Sequence, residues 1–198
     1  MASDTSLDLL TPVHRLSVDR YLRMGAAGMY GEAARIELID GVVVELAPIG
    51  AQHVAAVMWL TRAIGRQLDD GHMLSVQSPI VLHSERSVPE PDLSIVSLTR
   101  DDARIPERPL LTIEVSASSL RYDRRTKARL YAASGLEEYW IVNLAASAVE
   151  VHRDPAGDLW QQRSVHRAGE TIRALALPEL AVDLAELFAF VARYPGGD

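Results

Sequence analysis

The sequence predicts an α/β fold, and three observations carry that reading. Two β-prone runs, Arg35 to Ile39 and Val42 to Leu46, flank Asp40-Gly41, a dipeptide suited to a type I′ hairpin turn because both central residues take positive φ. From Gln52 to Leu68 the apolar residues Val54, Val57, Met58, Ile64 and Leu68 recur at spacings near three and four, which is a helix with one buried stripe. Three strand-like runs follow, Leu74 to Leu82, Asp92 to Leu98 and Leu110 to Val115, and then a helix from Leu120 to Ala133 and a buried strand from Tyr139 to Leu144.

Boundary residues support these elements in order. Ser17 can cap a first short helix, Val18 to Met24, which Gly25, Gly28 and Gly31 end. Gly71 ends the second helix, and Pro89-Glu90-Pro91 marks the start of the middle strand. Ser118 and Ser119 can cap the third helix, closed by Gly135. The order is therefore αββαβββαβ. Val149 to Leu177 adds two or three short strands around a Pro155-Ala156-Gly157-Asp158 turn, and Val182 to Phe190 reads as a closing helix. No repeat, low-complexity segment or linker divides the chain. The expected plan is an N-terminal extension over 1–16, one domain over 17–190 and a tail over 191–198.

Composition narrows the function. At 198 residues, 48% hydrophobic and 24% charged, with 12 Gly and 10 Pro, the chain has the balance of a globular domain rather than a disordered or collagen-like one. Without cysteine it has no disulfide, thiolate metal site or cysteine nucleophile, and a cytoplasmic location is expected. The acids in the first twelve residues and the lack of a long apolar run there argue against a signal peptide. Val54 to Leu60, the longest apolar run, is too short to span a bilayer, so no membrane partner is expected. A formal charge of -7 argues against coating nucleic acid by bulk charge. An enzyme acting on nucleic acid remains compatible, since a carboxylate metal site can coexist with one basic patch. Such a patch lies at Arg121, Arg124, Arg125, Lys127 and Arg129, with Asp123 as its one acid.

Two acids sit where acids are costly. Glu114 interrupts the otherwise apolar Leu110 to Val115 strand, and Asp92 opens the run Leu93-Ser94-Ile95-Val96 directly after a proline. Either Asp92 ends a turn and Glu114 pairs with an arginine, or the two meet and hold one hard cation such as Mg²⁺. Lys127 is the third element: the chain has this one lysine against nineteen arginines. A compact ammonium suits positioning or deprotonating a water, where a guanidinium does not. Asp123 and Tyr131 lie four residues to either side of it, on the same helical face.

Together these residues resemble the PD-(D/E)XK nuclease superfamily, in particular its widespread bacterial branch of restriction-endonuclease-like proteins. The resemblance runs through Glu37 to Gly41, His53, Gln77-Ser78-Pro79 and Pro89 to Leu93. It continues through Ile113-Glu114-Val115, Ser118-Ser119-Leu120, Tyr122-Asp123-Arg124, Lys127, Leu130-Tyr131-Ala132, Gly135 and Glu138-Tyr139-Trp140. It implies a restriction-endonuclease-like core, a mixed four-stranded sheet flanked by helices, with extra β-strands in the C-terminal part. The superfamily's usual lysine two residues beyond the acid is replaced by Ser116, and Lys127 matches the position to which the branch moves it. Asn143 stands where the branch often has an aspartate.

The resemblance further implies a Mg²⁺-dependent DNA endonuclease, with Mn²⁺ as a substitute metal. Asp92, Glu114, Glu37 and the Val115 carbonyl would hold the metal, and Lys127 would act on the attacking water. His53 is either a helix-start histidine or a group that binds phosphate or tunes a carboxylate. Gln77 either contacts a ligand or satisfies its strand neighbours. Tyr131 is expected to be half core and half site wall. Arg121, Arg124 and Arg125 are either a solvated face or the phosphate track. Trp59, Trp140 and Trp160 are expected to fill core. Similar proteins imply a homodimer. Two other readings are a non-catalytic nuclease-fold binding protein and a metal-dependent phosphodiesterase for a smaller substrate.

Overall fold

The computed structural model describes residues 13–31, 34–98 and 106–196; expectations for residues 1–12, 197 and 198 lie outside the described part. The Asp40-Gly41 turn forms as its residue types require. Their φ angles are 46° and 74°, and strand β1 (Ile36–Ile39) pairs antiparallel with β2 (Val42–Glu45). Gly41 has a second reason to be glycine, since a Cβ there would come within 2.6 Å of the Arg15 Cβ. Helix α1 (Val18–Ala26) precedes the hairpin, and the Ser17 hydroxyl caps it by accepting from the Arg20 N–H.

The main sheet has six strands in chain order: β3 (His72–Val76), β4 (Leu93–Ser97), β5 (Leu111–Ser116), β6 (Glu138–Asn143), β7 (Ala148–Ala156) and β8 (Leu159–Arg167). All neighbours are antiparallel except β5 and β6. The first four are the expected mixed core, and β7 and β8 are the added strands. Between the parallel pair lies one continuous helical segment: α3 (Leu120–Tyr122), a π-helical turn (Asp123–Lys127) and α4 (Ala128–Ala133). A small ribbon of β9 (Thr171–Arg173) and β10 (Ala181–Asp183) leads into α5 (Leu184–Val191), capped by Asp183.

Alternation along the strands sorts the core. On one face Leu93, Ile95, Leu111, Ile113, Val115, Trp140 and Val142 meet helix α2 (Ala51–Gly65) and α5. On the other, Tyr139 and Ile141 meet Ala128, Leu130 and Tyr131 of α4, with Trp160 partly buried against them. Of the three tryptophans Trp140 alone is fully buried; Trp59 and Trp160 pack on the core from its margin.

Two expected elements differ. The run Leu74 to Leu82 is a strand only as far as Val76, because Gln77 turns into the left-handed region at φ 43° and Pro79 has no N–H for a ladder. In α2 the buried residues are His53, Ala55, Ala56, Val57, Leu60 and Ile64, while Val54 and Met58 are 40% and 58% exposed. The alanines carry the buried face, since small side chains let the helix lie close to the sheet. A stripe read from large apolar residues alone is therefore rotated from the true one.

One buried histidine gives the fold a pH dependence. His152, between Tyr139 and Trp160, is 3% exposed and its Nε2 has no hydrogen-bond partner. Burial, aided by the nearby Arg163 and Arg124 charges, lowers its pKa to about 4. Between pH 6.5 and 4 the unfolded chain binds this proton and the folded chain does not, so stability falls as pH falls through that window. Comparing urea midpoints of wild type and His152→Gln at pH 7 and 4 should show about 2 kcal/mol of acid sensitivity removed by the substitution. Parallel pH profiles would exclude this role for His152.

Candidate active site

Strand pairing brings the acids together. The β4–β5 register matches Leu93 with Ile113, so Asp92, one residue earlier, falls opposite Glu114, one residue later and on the same face. Asp92 Oδ2 accepts from the Val115 N–H at 2.8 Å, and Oδ1 lies 2.9 Å from His53 Nε2. Glu114 Oε1 accepts from the Tyr131 hydroxyl at 2.8 Å and from Lys127 Nζ at 2.7 Å. Lys127 Nζ also lies 2.8 Å from Glu37 Oε1. That oxygen accepts from the Glu90 N–H, and Glu37 Oε2 accepts from the Tyr122 hydroxyl. Lys127 is thus a buried ammonium clamped between two buried carboxylates, with two of its three donors in use.

The π turn explains how Lys127 reaches this place. Asp123, Lys127 and Tyr131 are 2%, 3% and 0% exposed. Widening one helical turn keeps all three side chains on the sheet side, a distortion often found at functional sites. Asp123 anchors the turn: its Oδ2 accepts from the Ser116 and Ser119 hydroxyls at 2.5 and 2.6 Å. Ser119 precedes the helix, but its hydroxyl is committed to Asp123 and makes no capping bond to a backbone N–H.

These groups open on a cleft of about 100 Å³ whose walls include His53, Glu90, Asp92, Glu114, Asp123 and Lys127. Glu37 is fully buried and lies outside those walls. Among the described residues no three His, Asp or Glu side chains form a ready-made metal cage. The electrostatics are one-sided all the same. Burial raises the pKa of Glu114, Asp123 and Glu90, in each case with other carboxylates adding to the rise. Burial alone would lower Lys127, but Glu114, Glu37 and Asp123 outweigh it and hold the amine charged well above its ordinary range. Lys127 and Arg35 together do not neutralise the four lining acids, and the cleft favours further positive charge. Helix α2 points its uncapped N-terminus, at Gly50, into the same cleft.

Other expected site residues are distributed differently. The Arg124 guanidinium pairs with the buried Glu150 carboxylate, which Arg163 also holds, and Arg129 pairs with Asp158. Arg121 and Arg125 are exposed with no ion-pair partner among the described residues. Gln77 is exposed beyond the cleft, its backbone N–H donating to the Asp92 carbonyl at 2.9 Å. Tyr131 is wholly core, reaching the site only through its hydroxyl. Asn143 accepts from the Ala146 N–H and so shapes a turn. Glu90, Ser116, Ser119, Tyr122 and Asp123 were not among the expected site residues, although Asp123 stands one turn before the single lysine and Glu90 stands between two prolines.

The model of the Uma2 family, described as "Putative restriction endonuclease", matches residues 18–185. The chain belongs to the Uma2 family. This Uma2 chain is also similar in fold to a crystal structure of "a putative nuclease belonging to DUF820" from Anabaena variabilis, with a TM-score of 0.71 and 16% identity over 91% of this chain and 99% of that one. No curated protein sequence matches it. Family and fold therefore agree on a restriction-endonuclease-like, PD-(D/E)XK architecture with a nuclease-like function. No helix among the described residues is long and apolar enough to cross a membrane.

Proposed function

We propose that this chain is a Mg²⁺-dependent endonuclease that hydrolyses DNA phosphodiester bonds with a metal-activated water, Mn²⁺ serving as a substitute. The observation that carries the reading is the cleft in which Asp92 and Glu114 stand side by side with an ammonium fixed beside them. Mg²⁺ needs one or two carboxylates and keeps several waters, so this pair fits it without a three-residue cage. The excess of buried negative charge supports a cation there. Asp92, Glu114 and the Val115 carbonyl would hold it, and Glu37, behind Lys127, would act through the lysine. When bound, the metal supplies Lewis-acid polarisation of a phosphoryl oxygen and lowers the pKa of a water.

The chain's own groups have separate tasks. His53 and the Val115 N–H orient Asp92, and the Tyr131 hydroxyl orients Glu114. Lys127, with one donor left after Glu37 and Glu114, orients the attacking water or meets charge developing on the phosphate. The N–H groups at the start of α2 favour an anion on that side. The test is cleavage of labelled single-stranded, duplex and branched DNA in Mg²⁺. Wild type should cut at least one form, and Asp92→Asn and Glu114→Gln should cut none. A wild type inactive on every form would favour the non-catalytic reading. The small cleft supports a second reading, a phosphodiesterase for a short substrate, and cleavage of a dinucleotide but no polymer would select it.

The basic helix bears on DNA binding. Arg121 and Arg125 are available for phosphate, whereas Arg124 and Arg129 hold carboxylates. With Ca²⁺ replacing Mg²⁺, Arg121→Gln or Arg125→Gln should flatten the dependence of log affinity on log salt by about 0.9 each. Arg124→Gln should leave the slope and lower the melting temperature. Unchanged slopes in the first two variants would make this helix solvated surface.

A further inference from the structure

Beside the cleft, between α2 and the edge strand β3, lies a second hollow of about 400 Å³. Its walls include the apolar Ile49, Val54, Met58 and Val76 and the polar Thr61, Arg62 and Gln77. Ile49 lines both hollows, and the consecutive residues His53 and Val54 face one each. The rotation of the α2 stripe described above leaves Val54 and Met58 here, with Ile49 41% exposed beside them. Apolar walls with a few polar groups at one edge, in a volume between about 300 and 1000 Å³, are the character of a small-ligand site. Neither the Gln77 amide nor the Arg62 guanidinium bonds another described residue, and Gln77 is tied by its backbone to Asp92.

We infer that this groove takes one unpaired nucleobase, from the nucleotide next to the phosphate held at Asp92 and Glu114, so that the substrate is single-stranded, frayed or flipped out at that position. The inference rests on the nuclease reading and specifies its substrate. A base has two apolar faces and a hydrogen-bonding edge, which match the aliphatic walls and the Gln77 amide respectively. In a duplex both faces are stacked and only the edges are exposed, so a paired base cannot enter. The continuity of groove and cleft selects this occupant, because a phosphate and its own base are joined by one sugar. Gln77, exposed at φ 43° just after the edge strand ends, lines the groove.

Val54→Trp fills the groove from an exposed helix position, and Met58→Glu charges it independently. In wild type, kcat/KM for a single strand should exceed that for the same sequence in duplex by about tenfold, and one abasic nucleotide beside the cleaved bond should cost about the same. Both variants should erase the two differences while cleaving the abasic strand at the wild-type rate. Gln77→Gly, which suits the positive φ, should instead alter the preference among the four bases. If the two differences persist in Val54→Trp and Met58→Glu, the inference is wrong. If wild type cleaves nothing, the nuclease reading fails separately, and the groove is judged by fluorescence of a 2-aminopurine single strand in Ca²⁺. A rise in fluorescence, as the base leaves its stacked neighbours for aliphatic walls, that is lost in Met58→Glu supports base binding, and its absence in wild type overturns it. Sedimentation is the final control: a dimer that Val54→Trp dissociates without changing nucleic-acid behaviour would make the groove a self-interface and overturn the inference.

Discussion

Lys127→Met is expected to eliminate cleavage and also to lower stability by about 3 to 5 kcal/mol, because it leaves Glu37 and Glu114 facing each other in the interior. Both carboxylates are nearly inaccessible, at 0% and 4% exposed, so their repulsion is poorly screened once the ammonium is gone. Lys127→Arg separates charge from chemistry. It keeps the cation, but the guanidinium is planar and broad, and a water displaced by about 1 Å can cost about a hundredfold in rate. Single-turnover cleavage at a temperature where circular dichroism shows each variant folded, alongside urea midpoints, gives both quantities. Full activity in Lys127→Met would remove Lys127 from the chemistry, and a midpoint equal to wild type would deny the clamp.

Local signals located most of the scaffold. Asp40-Gly41 dictates its turn through backbone sterics, and Ser17 caps its helix through a bond three residues away, so both are readable from neighbours in sequence. The errors arise where a local break is read through or a nonlocal partner decides. Leu74 to Leu82 has apolar residues on both sides of Gln77-Ser78-Pro79, yet the strand ends at Val76. The α2 stripe misled because burial there follows the alanines that approach the sheet. A scale that weights Val and Met above Ala turns the helix by about one residue.

At the candidate site, residue chemistry singled out Asp92, Glu114 and Lys127, which the fold brings together, since an acid in an apolar strand and a lone lysine among arginines are each anomalous. What was hidden is who holds whom. Glu37 reaches Lys127 from a hairpin 90 positions away in the chain, and no spacing rule connects them. Asp123 is absorbed by Ser116 and Ser119 at the start of a π turn, and that turn has no sequence signature here. Arg124 reads as a surface charge until β7 supplies Glu150 beneath it.

Saturating Mg²⁺ or Mn²⁺ is expected to raise the melting temperature by about 5 to 10 °C, and the increment should vanish in Asp92→Asn and in Glu114→Gln. A ligand that binds only the folded state stabilises by RT ln(1 + [L]/Kd), about 2.7 kcal/mol at a hundredfold excess, and a domain of this length shifts by about 2 to 4 °C per kcal/mol. The two variants should differ without metal. Glu114→Gln keeps an acceptor for the Tyr131 hydroxyl but loses the ion pair with Lys127. Asp92→Asn must place one amide between the Val115 N–H and His53, where only its oxygen can accept. Calorimetric titration should agree, giving one site in wild type and none in either variant. Glu37→Gln should still bind metal, because Glu37 stands behind Lys127 and outside the cleft walls. Loss of the increment in Glu37→Gln, with the variant folded, would bring Glu37 into the metal set, and an undiminished increment in Asp92→Asn and Glu114→Gln would remove the metal from this cleft altogether.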